Sequence, residues 1–168
     1  MTVRLLPLGA AAIRALADGD LTCASRAAPV PLTPYFVQPE WIAGWRRARD
    51  RIEANPAAVS WLADVVWDEV QQAAVGRAGF HGPPDALRRV EVTYEVEPAH
   101  RRRGHARAAL ESLQVRALAD PGVRLVRAVI RPHNVASRRL VAQCGFVELP
   151  AQDDVPGGPW VVYGFEAG

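Results

Sequence analysis

The chain has 168 residues, which suits one domain (1–168), and 49% of them are hydrophobic, enough for a buried core. Its 20 basic and 18 acidic residues leave a net charge of +2, whereas a general nucleic-acid-binding protein usually carries a larger one-sided charge. Cys23 and Cys144 are too few for a disulfide framework, and no metal-ligand spacing surrounds them. We therefore expect reduced thiols, no bound metal and no nucleic-acid partner.

The N-terminal segment has to be distinguished from an export signal. An apolar run covers residues 5–13, but Pro7 and Gly9 break it and Arg14 follows it directly. A strand and a short helix explain this pattern better than a signal peptide does. No run is long and apolar enough to span a bilayer. These observations predict a cytoplasmic protein with no membrane partner.

Hydrophobic periodicity predicts alternating strands and helices along the whole chain. In chain order we expect strand 3–6, helix 10–17, an extended proline-rich loop 28–39, helix 40–54, strands 61–67, 73–80 and 90–96, helix 106–118, strand 125–130, helix 137–143, and strands 146–149 and 160–165. This order predicts a mixed α/β fold. Asp153 and Asp154, in the last loop, either attract a cationic amine or form a polar hairpin tip.

The segment between strand 90–96 and helix 106–118 has the composition of a phosphate site. It is a basic loop with small residues: Arg101, Arg102, Arg103, Gly104, His105 and Ala106. The first N–H groups of a helix lack partners and carry a partial positive charge, so small residues there let a phosphate approach. The alternative is a solvated basic turn. A Walker loop is excluded because no Gly-Lys-Ser/Thr follows, and a dinucleotide fingerprint because its first two glycines are missing.

Two segments together resemble the cofactor-binding segments of the GNAT acetyltransferase superfamily. V-x-P-x-x-R-x-x-G-x-A at residues 96–106 resembles the family's acetyl-CoA signature, Arg/Gln-x-x-Gly-x-Gly/Ala. N-x-x-S-x-x-L at 134–140, followed by Gly145 and Phe146, resembles a later cofactor segment. The stretches GFHG at 79–82 and EVTYEV at 91–96 resemble the branch that contains ribosomal-protein N-terminal acetyltransferases.

The resemblance implies an α/β (α+β) fold of three layers. Its central sheet would be mixed, mostly antiparallel and splayed between its middle strands, with helices on both faces. Coenzyme A would enter the splay, where Tyr94 and Val96 contact the pantetheine through their backbone. The Arg101–Arg102–Arg103–Gly104–His105–Ala106 loop would bind the pyrophosphate, largely through the amides from Arg102 onwards. Asn134 would lie near the pantetheine arm, and the Val96 amide would stabilise the oxyanion.

The resemblance also implies acetyl transfer from acetyl-CoA to a primary amine by direct attack. The amine must lose a proton, and Glu91 is the candidate base, directly or through water. Glu95 on the same face is the rival, and both could instead be exposed cross-strand charges. Many family members place a tyrosine proton donor where this chain has Val141. Ser137, which is also a candidate cofactor contact, is the candidate substitute, or it is a first-turn helix hydroxyl.

Several functions stay open at this point. An N-acetyltransferase could act on an N-terminal α-amine, an amino acid or a small-molecule amine. The resemblance to the family also allows a homodimer. The same coenzyme contacts would serve a longer acyl group. A non-catalytic coenzyme A module is favoured by Val141. Nucleic-acid binding would place aromatic residues among the arginines, and residues 97–107 contain none.

Overall fold

The structure, a computed structural model, describes residues 2–150 and 157–166, so Asp153 and Asp154 lie outside the described residues. The strands are β1 Val3–Pro7, β2 Asp64–Asp68, β3 Ala73–Phe80, β4 Arg89–Val96, β5 Leu125–Ile130, β6 Val147–Glu148 and β7 Val161–Glu166. The helices are α1 Ala10–Ala17, α2 Leu21–Ala27, α3 Pro39–Ala54, α4 Val59–Leu62, α5 His105–Leu118 and α6 Val135–Gln143. Short 3₁₀ turns occur at Pro34–Val37, Pro56–Ala58 and Pro98–His100.

The strands form one sheet in the order β1-β2-β3-β4-β5-β7-β6. Neighbouring strands are antiparallel except β4 and β5, which are parallel. The β4–β5 register ends at the pair Glu91 and Arg127, although β4 continues to Val96 and β5 to Ile130. The sheet therefore opens into a gap between its middle strands, and the expected mixed, splayed α/β fold is confirmed.

Alternate residues of the central strands enter two separate hydrophobic cores. Val65 packs into the core beneath α1 and α3, whereas its neighbour Val66 packs into the core that contains α5. Because successive side chains of a strand point to opposite faces, helices cover both faces of the sheet. Trp41 and Trp45 are buried in the first core. Among the described helices, none has both the length and the apolar character needed to cross a membrane.

The structure corrects two sequence predictions in the N-terminal half of the chain. Residues 61 and 62 lie in helix α4 rather than at the start of a strand, and β2 begins at Asp64. A short apolar run does not distinguish a strand from a buried helical turn, and Pro56 starts a helical turn just before it. Helix α2 was not predicted at all, although its N-cap Asp20 accepts a hydrogen bond from the amide of Cys23 at 2.9 Å.

The close approach of β3 to β4 beside the gap requires a glycine. A Cβ atom on Gly76 would lie 2.2 Å from the carbonyl oxygen of Glu95. We expect Gly76→Ala to lower the free energy of unfolding by about 1–3 kcal/mol, because the β4 backbone would have to move. That loss corresponds to a melting temperature lower by several degrees, at roughly 2–4 °C per kcal/mol. Gly82→Ala is the control, since nothing lies within 4 Å of its Cβ position; equal melting temperatures would contradict the prediction.

Candidate active site

Two connected clefts lie at the opening between β4 and β5. The larger, the loop cleft, has a volume of about 760 Å³ and is lined by residues 94–96, 100–102, 104–107, 134, 136, 137, 140 and 143. The smaller, the strand cleft, has a volume of about 280 Å³ and is lined by residues 81, 91–94, 128–131, 133, 134, 137 and 160. Both clefts share Tyr94, Asn134 and Ser137. A molecule could therefore extend from one cleft into the other past these three residues.

The N-terminus of α5 forms one end of the loop cleft. Gly104 is its N-cap with φ of +85°, a left-handed conformation that glycine adopts without steric cost. The amides of the first helical residues, which include His105 and Ala106, have no partner inside the helix. Arg101 donates from Nε to the carbonyl oxygen of Val96 at 2.9 Å, which fixes the loop to the end of β4. With the exposed Arg102 also lining the cleft, this end is suited to an anion.

Two residues of the basic loop direct their side chains away from the loop cleft. Arg103 donates to Oε1 of Gln71, in the β2–β3 turn, at 3.1 Å. The His105 ring is almost fully buried, with Nε2 2.7 Å from Oδ2 of Asp68 and Nδ1 2.9 Å from the carbonyl oxygen of His100. His105 can therefore reach a ligand in this cleft only through its backbone.

The contact of His105 with Asp68 is a buried link beneath the loop. Both partners of the ring accept hydrogen bonds, so a ring nitrogen that carries hydrogen donates to the partner beside it. The hydrogen bond from His105, followed by the backbone hydrogen bond from Gln71, holds the pKa of Asp68 well below its usual range. The link therefore ties the start of α5 to the end of β2.

The residues at the junction of the clefts form a hydrogen-bonded group. Asn134 caps α6, and its Oδ1 accepts from the amide of Ser137 at 3.2 Å. The hydroxyl of Ser137 lies 2.7 Å from the hydroxyl of Tyr94. Burial raises the pKa of Tyr94, so its phenol keeps its proton at neutral pH. Val141 is fully buried in the core, so the position where the resemblance implies a tyrosine offers no hydroxyl here.

Glu91 lies in the strand cleft between two basic side chains. Its Oε1 is 3.1 Å from Nδ1 of His81, and its Oε2 accepts from Nη2 of Arg127 at 3.1 Å. Burial raises the pKa of Glu91, but the hydrogen bonds and charges of His81 and Arg127 outweigh burial and hold the pKa below its usual value. Glu91 is therefore ionised and held by both neighbours.

Glu95, the other candidate carboxylate, lies in a different environment. Its Oε1 accepts from the hydroxyl of Tyr35 at 3.3 Å, and its Oε2 is 3.8 Å from Nη2 of Arg77. It lines the loop cleft and not the strand cleft. The structure therefore does not bring Glu95 together with Glu91.

Sequence reasoning missed His81, Arg127 and the hydroxyl of Tyr94 as members of this site. One signal was available for His81, because the hairpin between β3 and β4 places it opposite Glu91, and its amide donates to the Glu91 carbonyl at 2.8 Å. The position of Arg127 depends on the parallel register of β4 and β5, which no local pattern indicates.

Replacement of Asp68 tests the buried link. Asp68→Asn keeps an oxygen for the amides of Val70 and Gln71, which Oδ1 of Asp68 binds, but removes the negative charge beside His105. We expect a loss of about 1–3 kcal/mol of stability near neutral pH, measured by denaturant unfolding. Because the folded-state pKa of Asp68 is depressed, the difference from wild type should persist above roughly pH 4 and shrink as the pH falls below it. A difference that grew in acid would contradict this assignment.

Comparison with known proteins identifies the family. Residues 9–147 match the model of the acetyltransferase (GNAT) domain. An uncharacterised N-acetyltransferase of Bacillus subtilis (strain 168) is 33% identical over 72 residues, which are 43% of this chain and only 41% of that protein.

Solved structures share the fold over nearly the whole chain. An acetyltransferase from Agrobacterium tumefaciens str. C58 has a TM-score of 0.64 and 20% identity, over 98% of this chain and 90% of that one. A phosphinothricin acetyltransferase from Sinorhizobium meliloti, in complex with acetyl-CoA, has a TM-score of 0.62 and 20% identity, over 99% and 89%. Mutant forms of the spermidine/spermine N-acetyltransferase from Vibrio cholerae have a TM-score of 0.65 and 15% identity, over 98% and 94%. Because the family model matches residues 9–147, which is more than half of the chain, this chain belongs to the GNAT acetyltransferase domain family.

Proposed function

We propose that this chain, as one domain over residues 1–168, transfers an acetyl group from acetyl-CoA to a primary amine by direct attack in a ternary complex. The observation that carries the proposal is the gap between β4 and β5. It joins a loop cleft that is suited to an anion to a strand cleft that holds an ionised carboxylate. In this arrangement the pyrophosphate lies at the start of α5, the thioester lies in the gap, and the amine enters from the strand cleft.

The loop cleft fits coenzyme A through both charge and backbone. The amides from Arg102 to Ala106 and the side chains of Arg101 and Arg102 would hold the pyrophosphate, whereas Arg103 and His105 would contribute only backbone. Beyond Glu91, the edge of β4 that faces β5 has no strand partner in the described sheet. That edge, at Tyr94 and Val96, can therefore pair with the amide groups of the pantetheine.

The remaining contacts follow from this placement. Asn134 and Ser137 lie at the junction of the clefts and would contact the pantetheine arm near the thioester. The amide of Val96 is the proposed donor to the oxyanion, since buried donors aimed at developing charge stabilise acyl transfer.

The chemistry requires two proton transfers. The amine nitrogen forms a bond to the thioester carbonyl carbon, the carbon–sulfur bond breaks, the nitrogen loses a proton and the thiolate gains one. The proton of the amine nitrogen leaves toward the strand cleft, which contains Glu91. The thiolate receives its proton from Ser137, whose hydroxyl is hydrogen-bonded to the protonated phenol of Tyr94.

The pKa of the acceptor amine determines how strongly the reaction depends on a base. An α-amine with a pKa of about 8 is roughly one-tenth neutral at pH 7, whereas a lysine amine near 10.4 is below about one-thousandth neutral. The resemblance of residues 79–82 and 91–96 to the ribosomal-protein branch favours a peptide N-terminus. The structural neighbours that act on spermidine and phosphinothricin favour small amines. A thiol-release screen against peptide N-termini, amino acids and polyamines separates these classes.

The proposal places the enzyme in the cytoplasm and allows a homodimer. The two cysteines are free thiols, which suits a reducing compartment. Size-exclusion chromatography with light scattering tests the oligomeric state.

A non-catalytic module that binds coenzyme A is the second candidate, because Val141 is buried and supplies no proton donor. It predicts the same binding of acetyl-CoA but no thiol release with any amine.

Binding is tested by a shift in melting temperature. Acetyl-CoA at 100 times its dissociation constant should raise the free energy of unfolding by about 2.7 kcal/mol, which is several degrees for a chain of this size. Gly104→Glu should abolish the shift, because a carboxylate would occupy the phosphate position. Gly19→Glu is the matched control: its φ of +77° imposes similar backbone strain outside both clefts. No shift in wild type at millimolar ligand would overturn the proposal.

Proton donation is tested by Tyr94→Phe. This variant removes one hydroxyl and keeps the β4 backbone, so the acetyl-CoA shift in melting temperature should be unchanged. We expect kcat to fall by about 10²-fold, the lower end of the usual effect of a general acid. Tyr35→Phe also loses one phenol, but Tyr35 lines neither cleft, so this variant should keep wild-type kcat. An unchanged kcat in Tyr94→Phe would remove this hydroxyl from the mechanism.

A further inference from the structure

We propose that His81 takes the proton from the acceptor amine, and that Glu91 is a positioning residue that orients the His81 ring from the floor of the strand cleft. This assignment rests on the proposed acetyl transfer and names the base of that reaction. It is an alternative to the sequence-based prediction that Glu91 itself is the base.

The surroundings of Glu91 make it a poor proton acceptor. Each of its two carboxylate oxygens already has a basic partner, His81 on Oε1 and Arg127 on Oε2. The Arg127 side chain is only 10% exposed. Protonation of Glu91 would remove its negative charge from the ion pair with this nearly buried cation and so weaken that pair. The ion pair therefore resists the step that a base must perform.

The geometry of His81 suits proton acceptance. Its Nδ1 faces an ionised carboxylate, which only accepts hydrogen bonds, so Nδ1 carries the hydrogen in the neutral ring. Nε2 then holds the lone pair, and no group among the described residues is bonded to it. The side chain is 48% exposed and lines the strand cleft, so an incoming amine can reach Nε2. A base oriented by a second group in this way is the arrangement that activates nucleophiles in many enzymes.

The fold holds this pair at the end of the gap. His81 follows β3 directly, and its amide donates to the carbonyl of Glu91. Glu91 is paired with Arg127 in the last register pair of β4 and β5. The three side chains therefore form a row across three strands, because directly opposite residues share a face of the sheet. The row lies where the gap begins, in the strand cleft.

The proposed step conserves atoms and charge. The amine nitrogen forms its bond to the carbonyl carbon, and its proton passes to Nε2 of His81 directly or through water. The resulting imidazolium keeps its Nδ1–H bond to the Glu91 carboxylate, whose negative charge stabilises it. The carbon–sulfur bond breaks, the thiolate takes a proton from the Ser137–Tyr94 pair, and the pair regains a proton from solvent. The imidazolium then releases its proton to solvent at the exposed mouth of the cleft.

Other charged groups that face the strand cleft are less suited to this role. Arg131, on the loop after β5, has a guanidinium group that donates hydrogen bonds and accepts none, and it stacks on Trp160 with its Cζ 4.4 Å from the ring centroid. His133 lies on the same loop and is exposed, and no carboxylate in the described part of the chain is bonded to its ring. Only His81 combines access to the cleft with an orienting carboxylate among these groups.

The experiment compares His81→Ala, Glu91→Gln and the exposed control Glu53→Gln in the full chain. Thiol release from acetyl-CoA is measured against pH with the best amine from a panel of peptide N-termini, amino acids and spermidine. We expect kcat/KM to fall by about 10²- to 10⁴-fold in His81→Ala, and added imidazole to restore part of the activity. Glu91→Gln should lose less, about tenfold, because glutamine still accepts from Nδ1–H. Glu53→Gln should match wild type, and all three should keep the acetyl-CoA shift in melting temperature.

The outcomes separate the two proposals. Wild-type activity in His81→Ala, or a loss in Glu91→Gln as large as in His81→Ala with no rescue by imidazole, overturns the assignment of His81 and leaves acetyl transfer standing. A wild-type protein that binds acetyl-CoA but releases no thiol with any amine overturns acetyl transfer, and the assignment of His81 with it.

Discussion

The early end of the β4–β5 pairing is the constraint on which the rest of the site depends. Each of these strands stays fully paired on its other side, β4 with β3 as far as Val96 and β5 with β7 as far as Ile130. The strands therefore cannot close the gap by rotating toward each other without breaking those ladders. Unpaired backbone groups inside a sheet are costly unless they find partners, so a ligand that offers amide groups along this edge stabilises the protein as it binds.

The loop at the start of α5 is held in position by only a few contacts. Its residues are polar and mostly exposed, which would ordinarily make such a loop mobile. Two contacts hold it at its ends: Arg101 bonds to the last residue of β4, and the buried ring of His105 bonds to Asp68 at the end of β2. Because these contacts already fix the backbone, an anion at the helix N-terminus does not have to order the loop when it binds.

The sequence predicted those parts of the fold that local chemistry determines. Alternation of apolar and polar residues located β4, and the small residues of the basic loop located the N-terminus of α5, where the phosphate site is proposed. Helix α2 was missed because its N-cap, Asp20, belongs to a stretch that also reads as a turn. The boundary before β2 was missed because Trp61 and Leu62 suit a buried strand as well as the helical turn in which they lie.

Within the site, the sequence could identify residues but not the direction of their side chains. Loop composition placed Arg103 and His105 beside a phosphate, yet one contacts Gln71 and the other is buried against Asp68. Both side chains are determined by the β2–β3 turn, which is distant in sequence. Arg127 likewise joins the site through the parallel register with β4, which depends on tertiary structure alone.

The two carboxylates of β4 show how neighbouring strands give different roles to similar residues. Glu91 and Glu95 share one face, but Glu95 lies between the phenol of Tyr35 and Arg77, whose guanidinium stacks on Trp41 and Trp45 at 5.0 and 4.9 Å. Its negative charge is therefore partly compensated on the side where an anionic coenzyme would lie.

Glu91, in contrast, faces the opening through which the amine would enter. The His81–Glu91 pair then lies on the β3 side of the gap, and the Tyr94–Ser137 pair lies toward α6. A proton can leave the nitrogen on one side while another reaches the sulfur from the other side. No single group has to act as both base and acid, so the buried valine at position 141 need not prevent catalysis.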